Sequence, residues 1–471
     1  MKRKISSLLM IVFILLCLTS CGGKKKLLFL NWGEYIDESL IEDFEKKYNC
    51  TVSMDLGESN EIFYSKVRGG TTVYDVVCPS DYMIEKMYAN DMLQQIDFSK
   101  LTISKYNPDS DDVRPGVKKI YSDMDKNLKD ILGDKYQNGE IKKYAVPYLW
   151  GTWGIMYSTK KEGLEEAVKN KDNQWTSLFD RSKIPNNTKV AMYDSHQHAY
   201  YAACKYLGFN NYKELPLSDL NTIKSLIEKM NYDAWGTDNI KKDIVAGNID
   251  VGFMWTGDFL YYYCEQAAKT IMNAYLASDV EFDEIENMIN ILTDSSQRVY
   301  ETKNKSYEIG FDLFIPDDTI AFCDNLAITK DSENTELAYK FIDFMTSNSV
   351  SSYLDENGNE PSNVSDDDLL QPSFSNTYYV CYDAVEVNVY NEITSLADFE
   401  FTNDILTQFN LEVEAGTDPY ESTLYNILYD YVTGIAFMKY YPKDTTKGSI
   451  LAAFPRAYVN TINTVFNNAR A

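Results

Sequence analysis

The chain has 471 residues, 45 Lys and Arg against 71 Asp and Glu, and a formal net charge of −26, with 44% hydrophobic and 14% aromatic residues. This composition excludes intrinsic disorder over most of the chain and supplies apolar side chains for two or three domains of roughly 100–200 residues each. It also lacks the basic blocks that phosphate-directed nucleic-acid binding requires, so a charged partner is expected to be a cation.

Lys2, Arg3 and Lys4 precede an apolar run from Leu8 to Leu18, which Thr19, Ser20 and Cys21 follow. A bilayer-spanning helix takes about 20 residues, so the shorter run reads as a secretory signal. The segment LTSC ahead of Gly22 and Gly23 resembles the bacterial lipobox. It implies removal of residues 1–20, a diacylglyceryl group on Cys21 and stable anchoring at the cell membrane by acyl chains. Outside the signal, Cys50, Cys78, Cys204, Cys264, Cys323 and Cys381 show no CxxC spacing. Zinc and thioredoxin-like readings get no support, and the cysteines read as small buried hydrophobes, with a disulfide possible outside the membrane.

A buried strand is expected at Leu27–Leu30, then a helix carrying Leu40, Ile41, Phe44 and Tyr48 at helical spacing, with Asp37 as its cap. Strands near Thr51–Met54 and Val73–Val77 follow, the latter running through Pro79, Ser80 and Asp81 into another helix. The unit recurs at Val190–Tyr193 into His196–Leu207, at Val251–Trp255 into a helix from Asp258, and at Leu326–Ile328 ahead of a helix around Leu337–Met345. This alternation argues for α/β layers with largely parallel sheets. Acidic stretches at 109–112 and 355–368 read as surface loops, and without a clean linker two lobes would exchange the chain more than once.

Ligands of open α/β sheets sit beyond the carboxyl ends of the strands. Here those ends carry Trp32, Glu34 and Tyr35, then Ser80, Asp81 and Tyr82, then Asp194 to His198, then Trp255 and Asp258, then Phe322 and Asp324. Carboxylates with aromatic neighbours suit an organic ammonium ion. Charge-assisted hydrogen bonds contribute roughly 1.5–3 kcal/mol and ring faces about 0.5–2 kcal/mol. Each residue taken alone reads more readily as core or helix cap, and it is the recurrence of the same chemistry at five strand ends that points to a site.

Six stretches carry a resemblance: LLFLNWGEYID, GESNEIFYSKV, YDVVCPSDYMIEKM, VPYLWGTWGIMYS, VGFMWTGD and IAFCDNLAIT. In this order they are similar to the signature segments of bacterial spermidine/putrescine-binding proteins, the solute receptors of polyamine ABC importers. The resemblance implies a two-lobed α/β clamshell of the type II periplasmic-binding-protein class with hinge crossovers. It would need no cofactor or metal, and its partners would be a polyamine and the permease and ATPase subunits. Trp32, Glu34 and Tyr35 correspond to the amine-site segment, Ser80 and Tyr82 to the next, Trp255 and Asp258 to the third, and Asp324 to the hinge acid that grips a terminal amine. Thr402 corresponds to a late ligand loop. Lobe one would comprise residues 27–149 plus 324–360 and lobe two 150–322 plus 361–471, with crossings near Leu149–Trp153, Phe322–Asp324 and Gly358–Pro361.

The chain departs from the pattern at three places. Phe322 replaces the usual hinge Trp, Ser195 and His198 stand where acids are expected, and Gly358-Asn359 occupies the late Gly-Tyr position. Asp81 or Asp194 could compensate, and Glu34, Asp258 and Asp324 suffice for a diamine, which favours putrescine over spermidine. With His198 in the cleft, its protonation would repel the ligand and lower affinity as pH falls through about 6.5. His196 and His198, two apart on a helix, do not share a face for a metal. GxSxG, HExxH and a phosphate loop are missing, and Glu360 breaks a calcium-loop pattern at Asp355. Receptors for another small cation or amino compound, and a lipid-anchored surface hydrolase, remain alternatives. Extra length between Glu265 and Gly310 and beyond Gly416 is expected to thicken a lobe.

Overall fold

The computed structural model describes residues 24–33, 35–36, 38–101, 130, 132, 139–209, 214–346, 379–380, 400–442, 448–451, 454 and 456–470. Strand β1 (Lys25–Asn31) is the first apolar run, and it pairs in parallel with β2 (Cys50–Leu56) on one side and β3 (Val76–Val77) on the other. Helix α1 (Ser39–Tyr48) buries Leu40 and Phe44 and stops at Asn49, whose φ of 46° is left-handed. Helix α2 (Asn60–Gly69) starts where the Ser59 side chain accepts the Ile62 N–H, and α3 (Asp81–Ala89) follows β3. Strand β3 is shorter than the expected Val73–Val77. The Asp75 carboxylate accepts the Leu28 N–H and the Asn334 N–H, which draws the preceding residues out of the ladder.

The second set of parallel strands comprises β5 (Val190–Tyr193), β6 (Ala234–Gly236) and β7 (Val251–Trp255), with β5 in the centre. Around it lie α4 (His196–Leu207), α5 (Leu217–Met230), α6 (Asp238–Val245) and α7 (Thr256–Leu276). Two long strands join the halves. Strand β4 (Val146–Ser158) is buried along all 13 residues, as a strand covered on both faces must be. Strand β11 (Ile320–Ile328) pairs antiparallel with β3 through Ala327 and Ile328 and with β4 from Ala321 to Leu326. Beyond this stretch β4 pairs antiparallel with β7 and with β10 (Phe311–Phe314). The order is therefore β2-β1-β3-β11-β4-β7-β5-β6, parallel within each half and antiparallel across the middle. The chain crosses between the halves at β4 and β11; the expected third crossing, at 358–361, lies outside the described residues.

Between β7 and β11 the chain adds α8 (Ile285–Thr293) and the hairpin β8 (Val299–Glu301) with β9 (Ser306–Glu308). Helix α9 (Thr335–Met345) covers the first sheet, and β12 (Tyr379–Val380) adds to β4 at Leu149 and Trp150. In the tail, α10 (Asn403–Glu414) and α11 (Thr423–Tyr440) pack alongside α7, where Leu424, Leu428 and Val432 are buried. The tail then returns to the middle of the molecule as β13 (Ser449–Ile450), parallel to β11 at Ile320 and Ala321. The closing helix α12 (Arg456–Arg470) lies on α4 and α5, with the Tyr458 hydroxyl 2.8 Å from that of Tyr200 and accepting the Leu215 N–H. Cys50, Cys78, Cys204, Cys264 and Cys323 are free and buried; Cys381 lies outside the described residues. No helix among the described residues is long and apolar enough to cross a membrane.

Candidate functional site

A cleft opens where the two sets of strands meet at β4 and β11. Its hinge wall is set by one irregularity. The pairing of β11 with β4 slips between Asp324 and Asn325, and Asp324, paired with Leu149 of β4 on one side, forms a bridge with Ser80 at the start of α3 on the other. A bulge of this kind re-aims the side chain beside it. Ser80 Oγ donates to Asp324 Oδ1 at 2.6 Å. Asn60 holds Ser80 from both sides, its Nδ2 donating to Ser80 Oγ at 3.0 Å and its Oδ1 accepting the Ser80 N–H at 2.9 Å.

Asp324 is 3% exposed. Burial raises its carboxyl from 3.8 to about 7, with the Asp81 charge adding to the rise, against the hydroxyls of Ser80 and Tyr35, which favour the ionised form. An incoming ammonium would reverse that balance and ionise it.

Aromatic rings form the opposite wall. Trp255, at the end of β7, meets Phe322 edge-on with ring centroids 4.8 Å apart. Phe322 lies over Gly151 of β4, where a β-carbon would come within 3.0 Å of the ring. His198 is packed among Trp153, Tyr193 and Trp255 at 5.2–5.4 Å, and its Nδ1 is 2.6 Å from Ser195 Oγ. Burial lowers its pKa to about 3. This corrects the pH dependence expected of His198, because the ring is neutral throughout the physiological range. So weak a base also does not activate Ser195 as a nucleophile, and their hydrogen bond is structural. His196 points elsewhere, to Asn463 and Phe466 of α12.

Of the residues expected to contact ligand, Trp32, Tyr35, Ser80, His198, Trp255, Asp258, Phe322 and Asp324 line this one cleft. Glu34 and Cys21 lie outside the described residues. The structure places four other expected residues outside the lining of the cleft. Asp81 and Tyr82 are buried in α3 behind the wall. Asp194 pairs with Arg470 at 2.7 Å, and that guanidinium lies 4.2 Å over the Trp235 ring, so the acid serves to fasten α12. Thr402 is exposed and caps α10 by accepting the Ile405 N–H. Asp258 carries a further surprise: its Oδ1 is 3.1 Å from Lys241 Nζ, and the two side chains are only 8% and 1% exposed.

Gly57, Glu58, Ser59, Asn60, Tyr193 and Leu451 also line the cleft and escaped the sequence reading. The first four end β2 and open α2, so the strand-end rule applied to GESN would have found them. Tyr193 is the last residue of β5, one short of the segment chosen. Leu451 reaches the wall only because β13 pairs with β11, and no local pattern signals that.

Comparisons place this architecture. A family model described as a hypothetical lipoprotein of the MG045 family matches residues 1–334. The chain belongs to the MG045 lipoprotein family. Among the relatives of this MG045-family chain, spermidine/putrescine-binding periplasmic protein 1 of Haemophilus influenzae is 26% identical over 54% of the chain and 67% of its own length. The spermidine/putrescine-binding periplasmic protein of Escherichia coli is 24% identical over 80% of the chain and 87% of its own length. A Listeria monocytogenes structure described as a spermidine/putrescine ABC transporter superposes with a TM-score of 0.56 at 21% identity, covering 95% of the chain and 99% of its own. The Tp0655 (TpPotD) lipoprotein of Treponema pallidum gives 0.53 at 19% identity with the same coverage. The MG045-family chain thus has the type II periplasmic-binding-protein fold.

Proposed function

We propose that this protein is a lipid-anchored extracytoplasmic receptor that captures a polyamine, putrescine or spermidine, and delivers it to the permease and ATPase of an ABC importer. The observation that carries the reading is Asp324: a buried hinge carboxyl, oriented by Ser80 and facing a ring-lined cleft. Its pKa of about 7 suits a group that exchanges its proton for an ammonium. Relatives named for spermidine and putrescine binding support the same class of ligand. Trp32, Tyr35, Trp255 and Phe322 supply faces for ammonium groups and methylenes, and the protein binds without chemistry. Lobe one, at about residues 27–149 plus 324–360, closes on lobe two, at 150–322 plus 361–471, because a ligand touching both favours the closed state by its differential affinity. Cleavage before Cys21 and acylation of its thiol hold the receptor at the membrane.

Calorimetry and thermal shift with putrescine, spermidine, amino acids and sugars test the reading. A ligand at 100 times its Kd should add about 2.7 kcal/mol to stability. Saturable binding of an oligoamine is expected; stoichiometric binding of a sugar, with no response to any amine, overturns it. Incorporation of labelled fatty acid that is lost in Cys21→Ala tests the anchor.

A further inference from the structure

Asp258 does not meet the cleft as a lone carboxylate. Lys241, on α6, approaches it from behind at 3.1 Å, 1% exposed and outside the residues that line the cleft. An ammonium this deeply buried is kept charged by close counter-ions, and a wall residue supplies one here. Lys241 also lies 5.7 Å over the Tyr262 ring, on the helix that carries Asp258, which fixes where its charge sits. The consequence is arithmetic. The described cleft carboxylates are Glu58, Asp258 and Asp324, and Lys241 subtracts one unit of negative charge from whatever total the cleft holds.

We propose that Lys241 is a positioning residue that favours diamines over triamines by offsetting the charge that Asp258 presents to the cleft. This rests on the polyamine reading above and deepens it. Among the described cleft carboxylates, Asp324 and Glu58 match the two ammonium groups of a butane-1,4-diamine once Lys241 offsets Asp258. A triamine brings an additional positive charge into the field of Lys241, and the repulsion is felt at low effective dielectric because the lysine is shielded from water.

The test is the ratio of Kd for spermidine to Kd for putrescine, measured by calorimetry on the full soluble domain. The parent should favour putrescine. Lys241→Met frees Asp258 and should move the ratio about ten-fold toward spermidine. Lys241→Arg should keep the parental ratio, and Lys241→Met with Asp258→Asn, which restores neutrality, should return to it. A purely structural role predicts equal weakening of both amines and no change in ratio. An unchanged ratio in a folded Lys241→Met protein therefore overturns the inference, as does a shift in Lys241→Arg. Should Lys241→Met fail to fold, Asp258→Asn decides: it leaves Lys241 unbalanced and should move the ratio against spermidine, and no movement overturns the inference. Absence of any amine binding by the parent overturns the polyamine reading itself, and this inference with it.

Discussion

In the receptor proposed above, Asp324 combines the charge an ammonium ligand would need with surroundings that resist it. Its carboxyl ionises near 7 in the folded chain and near 3.8 when exposed, so between those values the group opposes folding more strongly as pH rises. The ligand-free Asp324→Asn variant should therefore be more stable than the parent at pH 8, by an amount on the order of 4 kcal/mol at roughly 1.4 kcal/mol per pKa unit. The same substitution should weaken amine binding by about 100-fold, since a charge-assisted contact of up to roughly 3 kcal/mol is lost. In the parent, affinity should fall by up to about ten-fold per pH unit below 7, because binding then releases a proton. His198→Ala should leave the shape of that profile unchanged and Asp324→Asn should flatten it. Calorimetry in two buffers of different ionisation enthalpy reads both. If His198→Ala flattened the profile instead, the histidine would be the titrating group.

At the scale of elements, the cleft depends on how strands end and where they slip. Gly151 lets the Phe322 ring lie flat across β4, so Gly151→Ala should push the ring into the cleft and weaken binding while leaving Tm within a few degrees. The tail helix α12 is fastened by Arg470 to Asp194 and Trp235, both half-exposed surroundings, so Arg470→Ala should cost no more than about 1 kcal/mol in a denaturant melt. Ligand affinity should not change, because the pair lies outside the cleft. A large loss of affinity in Arg470→Ala would return Asp194 to the site. The first parallel triplet, and β5 and β7 of the second, were legible as strand–helix repeats, down to the bounds of β5, α4 and β7, because apolar periodicity is local; the three-residue β6 was not, being too short to show a period. The antiparallel hinge was not, since a uniformly apolar run such as β4 states neither partner nor direction.

For the whole molecule, one continuous sheet runs through β11 and β4, and the cleft lies where its two parallel halves meet at these strands. Saturation with putrescine should close the lobes and lower the radius of gyration in solution scattering; an unchanged radius with full occupancy would mean that closure does not accompany binding. Sequence by itself determined the α/β class and, between Trp32 and Asp324, most of the strand-end residues that line the cleft, because strand ends, cap residues and apolar spacing are written over short stretches of chain. Tertiary structure alone decided that Lys241 neutralises Asp258, that Arg470 takes Asp194 out of the cleft, that Leu451 enters its wall, and that His198 titrates far below neutrality. The charge a carboxylate presents and the acidity of an imidazole depend on what surrounds them in space, and the neighbours that set both come from distant parts of the chain.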